Sequence, residues 1–498
     1  MMDILPLLLS FPSQAAAAAS HDDYNVQARD FLANVNERLP IYIDGSANNT
    51  NDLLEKINPS THSLSYLLVL HFHLKTLEKT PNDNVSTETR PGSVFWTRST
   101  MFLRTFEPNQ IKFAGSEWYR LMGFIATTAE MENKPLLAVR PIRDAIIRLD
   151  PTCSSFTPTH VLLSRACLLA KAYTLALPIL DQTIYNFSTT VNNFHQKSLQ
   201  NESDIDIVSD LHSSGAFPKT THTDHLQYFL YGAMIYMALK KWSKARHFLS
   251  IVVSSPATNS VSLIMVEAYK KWVLVNLLEK GTSISLPKVT APVATKVYKA
   301  LARPYDAFAS AFVSGDWEKL RAEAEFGQSI WRMDKNTGLV QQALLAFRKQ
   351  SVLRLSATFA AVTTIDVARR ALSNMIDINA TEQYILSLAI QQQIFASLLH
   401  LTGEQESSII RFSSSRNKQS TEQETYLDSH LLFQQRKLES LVQHIQASDR
   451  KLELGREYVD YLRRGQRHND SMSKDGVQSS RMKGQDIDID EDMMGDMH

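Results

Sequence analysis

The 498-residue sequence contains little glycine, proline or cysteine. Its 16 glycines and 17 prolines are each about 3% of the chain, whereas average usage is roughly 7% glycine and 5% proline. Both residues make turns and hairpins, so a β-sandwich or barrel of this length would need more of them. No glycine cluster of the kind that a nucleotide-binding loop requires is present. The composition therefore favours long helices joined by short loops.

The two cysteines, Cys153 and Cys167, are too few for a disulfide framework or a four-cysteine zinc site. Neither has a histidine partner at a spacing typical of a catalytic-cysteine family. We expect both to be small buried hydrophobic residues in a protein of a reducing compartment.

The sequence also lacks net charge and long apolar runs. Lys and Arg together number 52, and so do Asp and Glu. Since proteins whose main role is to bind nucleic acid are usually basic, this balance argues mildly against that role. No stretch reaches the roughly 18 apolar residues of a membrane span. The apolar run at 4–11 has no positive residue before it and is interrupted by Pro6, so we do not expect a secretory signal.

The hydrophobic pattern predicts an all-α dominated fold: a solenoid of tetratricopeptide-like or HEAT-like helical repeats, then a winged helix, then a long C-terminal helix. The last fourteen residues hold six acidic side chains and no Lys or Arg, which is typical of a disordered acidic tail. The predicted divisions are N-terminal helical repeats at 1–187, a polar insert at 188–224, further repeats at 225–336, the winged helix at 337–412, the C-terminal bundle helix at 420–464 and the tail at 465–498.

The strongest repeat signal lies between residues 225 and 257. Gly232, Phe248 and Pro256 have the spacing of the small, aromatic and proline positions of a tetratricopeptide repeat. Glycine would let two helices approach, the aromatic ring would fill the space between them, and proline would end the second helix. A further helix follows, with Gly281 at its predicted C-cap.

The pattern changes after residue 336. Amphipathic segments at 339–358, 365–372 and 381–388 predict three helices, and two short apolar segments at 394–399 and 408–412 predict strands. Three helices followed by a β-hairpin is the order of a winged helix. The strand at 408–412 is expected to offer an open sheet edge to a neighbour.

Helical repeats that lead into a winged helix are the layout of PCI-domain proteins, the scaffold subunits of the proteasome lid, the COP-9 signalosome and eukaryotic initiation factor three. The segment SVSLIMVEAYKKWVLVNLLEKG (Ser260–Gly281) resembles the helix before the winged helix in one PCI subunit of the signalosome. Asn336–Leu344 and Glu382–Leu398 are similar to the same subunit. The resemblance is good over about 225–412 and weaker before residue 225.

The resemblance implies a non-catalytic scaffold in the complex that strips a ubiquitin-like modifier from cullins. The implied partners are other PCI-domain and MPN-domain subunits and, indirectly, cullin-RING ligases. The implied location is the cytoplasm and nucleus, with no cofactor and no membrane. A proteasome-lid subunit and a winged helix that binds nucleic acid remain as alternatives.

The residues expected to contact other subunits are apolar and lie in two groups. A simpler alternative holds for each residue of the winged-helix group: its side chain packs in the core of its own domain and contacts no other subunit. The long helix carries a heptad pattern, which is typical of a coiled-coil or bundle strand. The winged-helix group is Ile394, Phe395, Leu398, Ile409, Ile410 and Phe412, and the long-helix group is Leu431, Leu438, Leu441, Ile445 and Leu452.

Two chemical alternatives can be weighed from the residues. His71 and His73 form the H-x-H pair of a zinc isopeptidase, but Pro81 and Asn84 stand where that motif has Ser and Asp, so no metal site is expected. The predicted third helix of the winged helix, 381–388, contains no Lys or Arg, which argues against nucleic acid as a partner.

Overall fold

The computed structural model describes residues 4–11, 21–43, 47–79, 90–151, 153, 155–184, 186–187, 218, 220–256, 261–282, 285–371, 378–390, 394, 396–399, 408–412 and 421–453. Phe395, most of the predicted insert and the predicted tail lie outside the described residues. None of the described helices is long and apolar enough to cross a membrane.

The described chain is dominated by helices, which confirms the predicted fold class. In chain order the helices are α1 (Leu5–Leu9), α2 (His21–Ile43), α3 (Ala47–Lys56), α4 (Ser63–Lys79), α5 (Val94–Thr105), α6 (Pro108–Ile111), α7 (Gly115–Met131), α8 (Leu136–Leu149), α9 (Pro158–Leu169), α10 (Tyr173–Leu180), α11 (His222–Ala238), α12 (Trp242–Val253), α13 (Leu263–Lys280), α14 (Pro292–Leu301), α15 (Arg303–Ser314), α16 (Trp317–Phe326), α17 (Gln328–Met333), α18 (Thr337–Thr358), α19 (Thr364–Ala371), α20 (Ile378–Ile390) and α21 (Thr421–Glu453). The strands are β1 (Ser155–Phe156), β2 (Asn186–Phe187), β3 (Ala361–Thr363), β4 (Ala396–Leu399) and β5 (Ile409–Phe412).

Four turns between described helices share one geometry. Asn133, Lys171, Lys240 and Lys335 each follow a helix with φ between 54° and 57°. The next residue's N–H then bonds to the carbonyl five residues back, as in Lys241 N to Tyr236 O at 2.9 Å. This is the Schellman arrangement, which satisfies the last carbonyls of a helix and reverses the chain at once. The turns join α7 to α8, α9 to α10, α11 to α12 and α17 to α18.

The contact predicted at Gly232 is present. A Cβ at this position would lie 2.7 Å from Cε1 of Phe248 and 3.2 Å from Cδ2 of Leu180. The missing side chain therefore lets α11 approach α12 closely, with the Phe248 ring between them. Gly281 is the left-handed C-cap of α13, with φ 67°, also as the sequence predicts.

The repeats enclose one continuous hydrophobic core. It runs from Ile4 in the first helix segment to Phe347 in α18 and is filled by large aromatic side chains such as Trp118, Phe308 and Phe312. Each helix pair buries its apolar face against the next pair, as in a solenoid.

The winged helix contains one strand that the sequence pattern did not reveal. Its sheet has the order β3-β5-β4, both pairs antiparallel, with Val362 and Leu398 on either side of Ile410. β5 is therefore the central strand. The expectation that 408–412 offers an open edge was wrong, because β3 and β4 occupy both of its sides; the outer strands β3 and β4 carry the open edges.

A second, smaller core lies under this sheet. Its buried members are Val352 from α18, Val367 from α19, Ile385 and Leu388 from α20, Ile394, and Ile410. The long helix α18 contributes to both cores, because Val340, Ala343 and Phe347 belong to the core of the repeats. One unbroken helix of 22 residues thus links the repeats to the winged helix.

The C-terminal helix α21 belongs to a separate compact unit. It runs for 33 residues within the predicted range of 420–464, and residues 454–464 lie outside the described part of the chain.

Candidate subunit interfaces

The open edges of β3 and β4 are the first candidate interface. An outer strand presents unpaired N–H and C=O groups that can pair with a strand of another chain. Along β4 the side chains alternate: Ala396 and Leu398 contact the small core, whereas Ser397 and Leu399 are exposed. The backbone of β4 together with the Leu399 side chain could therefore form contacts with a neighbouring protein.

The predicted winged-helix interface residues divide by burial. Ile394 and Ile410 are buried in the small core, and Leu398 and Phe412 pack against it. Ile394 and Ile410 therefore follow the simpler alternative: their side chains pack in the core of their own domain and are not exposed to a neighbouring subunit. Ile409 is half-buried on β5.

Other apolar residues of the winged helix are exposed, and sequence reasoning missed them. Leu386 and Ile390 lie four residues apart on the outer face of α20, and Ile390 is 81% exposed. Phe359 precedes β3 and Ile365 opens α19, and both are exposed. The i, i+4 spacing of Leu386 and Ile390 indicates that both lie on one face of the helix. The sequence does not show that this face is exposed, because Ile385 and Leu388, on the buried face, are equally apolar.

The outer face of α20 is poorly suited to phosphate. The whole helix carries one charged residue, Glu382, and no Lys or Arg. Direct readout of bases and phosphates relies on basic and amide side chains. An uncharged, partly apolar face instead has the chemistry of a protein contact.

The helix α21 presents an exposed apolar stripe. The predicted heptad residues Leu431, Leu438, Leu441 and Ile445 are between 41% and 61% exposed. Leu452 lies in the helix, but its side chain is outside the described set. Three further exposed apolar residues were not predicted: Leu432, Phe433 and Val442. Val442 widens the stripe, whereas Leu432 and Phe433 lie beside Leu431 on other faces of the helix.

A groove of about 590 Å³ lies along α16, α17 and α18. Its walls include Trp317, Trp331 and Leu344, and Arg348 lies over the Trp317 ring at 5.0 Å. Its carboxylate, Glu325, is paired with Arg321 at 2.8 Å, and both side chains are exposed. The lining is therefore largely apolar, with its acidic group already in an ion pair.

His71 and His73 are buried in α4. Burial lowers the pKa of each imidazole to about 4, because a charged ring would lose its hydration. The ring of His73 packs edge-on against Phe95, with centroids 5.1 Å apart. In the part of the chain that the structure describes, no group of three His, Cys, Asp or Glu side chains could hold a metal ion.

The two cysteines are buried and neither forms a disulfide; the Cys153 thiol donates a hydrogen bond to the carbonyl oxygen of Asp150 at 3.2 Å. Burial raises the pKa of both the Cys153 and Cys167 thiols to about 12, which leaves little reactive thiolate at neutral pH. The prediction that they are small hydrophobic residues is confirmed.

A stack of helix pairs that runs into a three-stranded winged helix defines the class: this is a helical-repeat protein with a C-terminal PCI region. The chain belongs to the COP9 signalosome complex subunit 3 family. The family model "COP9 signalosome complex subunit 3, N-terminal helical repeats" matches residues 26–294. The match includes the part before residue 225, where the resemblance seen in the sequence is weaker.

Curated relatives carry the same name. COP9 signalosome complex subunit 3 of Emericella nidulans is 38% identical over 502 residues, covering 100% of both chains. The Dictyostelium discoideum protein of that name is 26% identical over 70% of this chain and 74% of its own. The Drosophila melanogaster protein is 27% identical over 73% of this chain and 77% of its own. The resemblance to one signalosome subunit is thereby confirmed.

Proposed function

We propose that the chain is a non-catalytic scaffold subunit of the signalosome, which holds other PCI-domain and MPN-domain subunits together. Through them it supports the removal of a ubiquitin-like modifier from cullins and so acts on cullin-RING ligases, in the cytoplasm and nucleus. The observation that carries the proposal is made on the described residues: the sheet has two outer edges, on β3 and β4, and α21 carries an exposed apolar stripe, in a chain of this family. The relatives' shared name favours the signalosome over the proteasome lid.

Each surface would bind a different kind of neighbour. The edges of β3 and β4 would pair with the sheet edges of adjacent PCI winged helices, because backbone pairing needs only an open strand. The stripe of α21 would join a multi-subunit bundle of helices, because a helix with apolar residues at heptad spacing buries them against other helices. We keep Leu431, Leu438, Leu441, Ile445 and Leu452 as the proposed bundle contacts.

Co-purification from cells tests the proposal. The full chain should bring down other PCI- and MPN-domain subunits, and truncation after Ser420 should release those that join through the bundle. A sharper variant is Leu438→Ser, since Leu438 is exposed in the free chain and its change should leave the fold intact. The matched control is Gln443→Ser, an exposed polar position on the same helix but outside the apolar stripe. Purification of the full chain without any such subunit would refute the proposed function.

A further inference from the structure

A partly buried polar network joins three helices where the repeats meet the winged helix. Nζ of Lys270 in α13 donates to both carboxylate oxygens of Asp334 at 2.8 Å. Tyr305 in α15 donates its hydroxyl hydrogen to Oδ2 of Asp334 at 2.8 Å. The amide nitrogen of Asn336 donates to the Tyr305 hydroxyl oxygen, also at 2.8 Å. Asn336 is fully buried, and the Lys270 and Asp334 side chains are 17% and 21% exposed.

Two members of this network flank the turn that starts α18. Asp334 is the C-cap of α17 and Asn336 is the N-cap of α18, with Lys335 between them at φ 55°. The backbone N–H of Asn336 donates to the carbonyl of Trp331 at 2.9 Å, and its carbonyl accepts from Val340 N at 3.1 Å. The side chains of this turn are therefore bonded to α13 and α15 while its backbone begins the new helix.

The start of α18 determines where its far end lies. Its first half packs in the core of the repeats and its second half, around Val352, packs in the core of the winged helix. A helix of 22 residues is about 33 Å long. A rotation of about 10° at its start would move its other end by about 6 Å.

Apolar packing alone leaves this direction loosely defined. The contacts of Val340, Ala343 and Phe347 are non-directional, because the hydrophobic effect depends on area and not on angle. A carboxylate that accepts from an ammonium group and a hydroxyl at 2.8 Å has preferred distances and angles. A buried ion pair often adds little net stability compared with apolar replacements, so stability alone does not account for this one.

We propose that Lys270, Tyr305, Asp334 and Asn336 are positioning residues that set the direction of α18 and hence the orientation of the winged helix relative to the repeats. This orientation decides how the edges of β3 and β4 meet neighbouring subunits, a consequence that rests on the proposed function. The orientation itself is a property of the free chain.

Spin labels on the full chain can measure this orientation. Exposed Ser243 in α12 and exposed Ser397 in β4 would be changed to Cys and labelled. The native cysteines are buried, so they should react little in the folded protein. Electron–electron distance measurements then give the mean and the width of the distribution between the two labels.

The decisive variant is Lys270→Met combined with Asp334→Leu. It removes both charges together, so no buried charge is left unpaired and the chain should stay folded. We expect the distance distribution to broaden at least twofold or its mean to move by about 5 Å, on the lever argument above. Tyr305→Phe should broaden it less. The single variant Lys270→Arg keeps the positive charge and the hydrogen-bond donors, so its distance distribution should stay as narrow as that of the parent chain.

The control is Ile142→Val in α8, which removes one buried methyl group far from the network along the chain. It should lower the melting temperature and leave the distribution unchanged. If the double variant keeps the parent's mean and width, the network has no positioning role and the proposal is wrong. Because the distances are measured on the free chain, this result is separate from the co-purification test of the proposed function.

Discussion

The helical repeats and the winged helix bury their apolar residues in different ways. The repeats share one core that continues from α1 to α18 and contains many fully buried aromatic rings. In the described residues, the core of the winged helix has six buried members, all of them aliphatic, and Phe359, Leu386, Ile390 and Leu399 are exposed. A small domain buries a smaller fraction of its surface. The repeats are thus a self-sufficient support, whereas the winged helix depends on α18 and keeps apolar surface for other contacts.

The largest expected effect is loss of a central ring of the repeats. Trp118 is completely buried in α7, so Trp118→Ala should cost about 3–5 kcal/mol through lost burial and a cavity. That is a large share of the usual stability of a folded protein. We expect a lower midpoint in urea unfolding followed by circular dichroism. An unchanged midpoint would mean that the core of the repeats is not one cooperative body.

A smaller effect is expected at the centre of the sheet. Ile410 is fully buried on β5, so Ile410→Ala should cost about 2–4 kcal/mol and act on the winged helix alone. Hydrogen exchange should accelerate in 361–412 and stay slow in α11–α13. Ile390→Ala, at an exposed position, is the matched control and should change stability by less than about 0.5 kcal/mol. Equal loss of protection in the repeats would contradict the comparison.

Acid should separate the two regions without any substitution. Burial lowers the pKa of His71, His73 and His160 in the repeats to about 4. Their folded pKa values lie below the ordinary value of 6.5, so the neutral rings stabilise the fold fully above about pH 6.5, and this stabilisation is lost as the pH falls towards 4. The described residues of the winged helix contain no histidine. We expect amide protection in the repeats to decrease first between pH 6.5 and 5.

The variant His73→Phe should make that loss of protection shallower. The ring packs against Phe95, and Nδ1 of His73 has no hydrogen-bond partner among the described residues, so phenylalanine can take its place without breaking a bond at that nitrogen. A pH dependence identical to that of the parent chain would show that His73 does not titrate with unfolding.

Much of the fold could be read from local patterns. The spacing of Gly232, Phe248 and Pro256 predicted a helix pair because each residue has a local steric role: close approach of two helices, filling of the space between them, and the end of the second helix. Gly281 at a C-cap followed for the same reason, whereas the helix ending at Thr358 was predicted from its amphipathic pattern. β3 was missed because three residues between two helices give too short a window for an alternating pattern. Strand order was also out of reach, since it depends on which segments meet in space.

The candidate interfaces were harder to predict, for a physical reason. An apolar residue on a short strand can face its own core or a neighbour, and the sequence shows the same residue type in both cases. Ile410 faces the core, whereas Leu399, the residue after its partner Leu398 on β4, is exposed. The heptad residues of α21 were easier, because a single long helix exposes whatever its pattern places on one stripe.

The turns between paired helices have a consequence for how the chain acquires its shape. Lys171, Lys240 and Lys335 hold left-handed backbone angles that cost a side-chain-bearing residue roughly 1–2 kcal/mol each. Glycine would adopt them freely, so the turn sequence does not itself dictate the reversal; packing of each helix pair against the neighbouring pairs imposes it. The turn of an excised helix pair would therefore lose its left-handed conformation. Since each turn needs contacts with the neighbouring pairs to keep this conformation, the repeats should fold cooperatively.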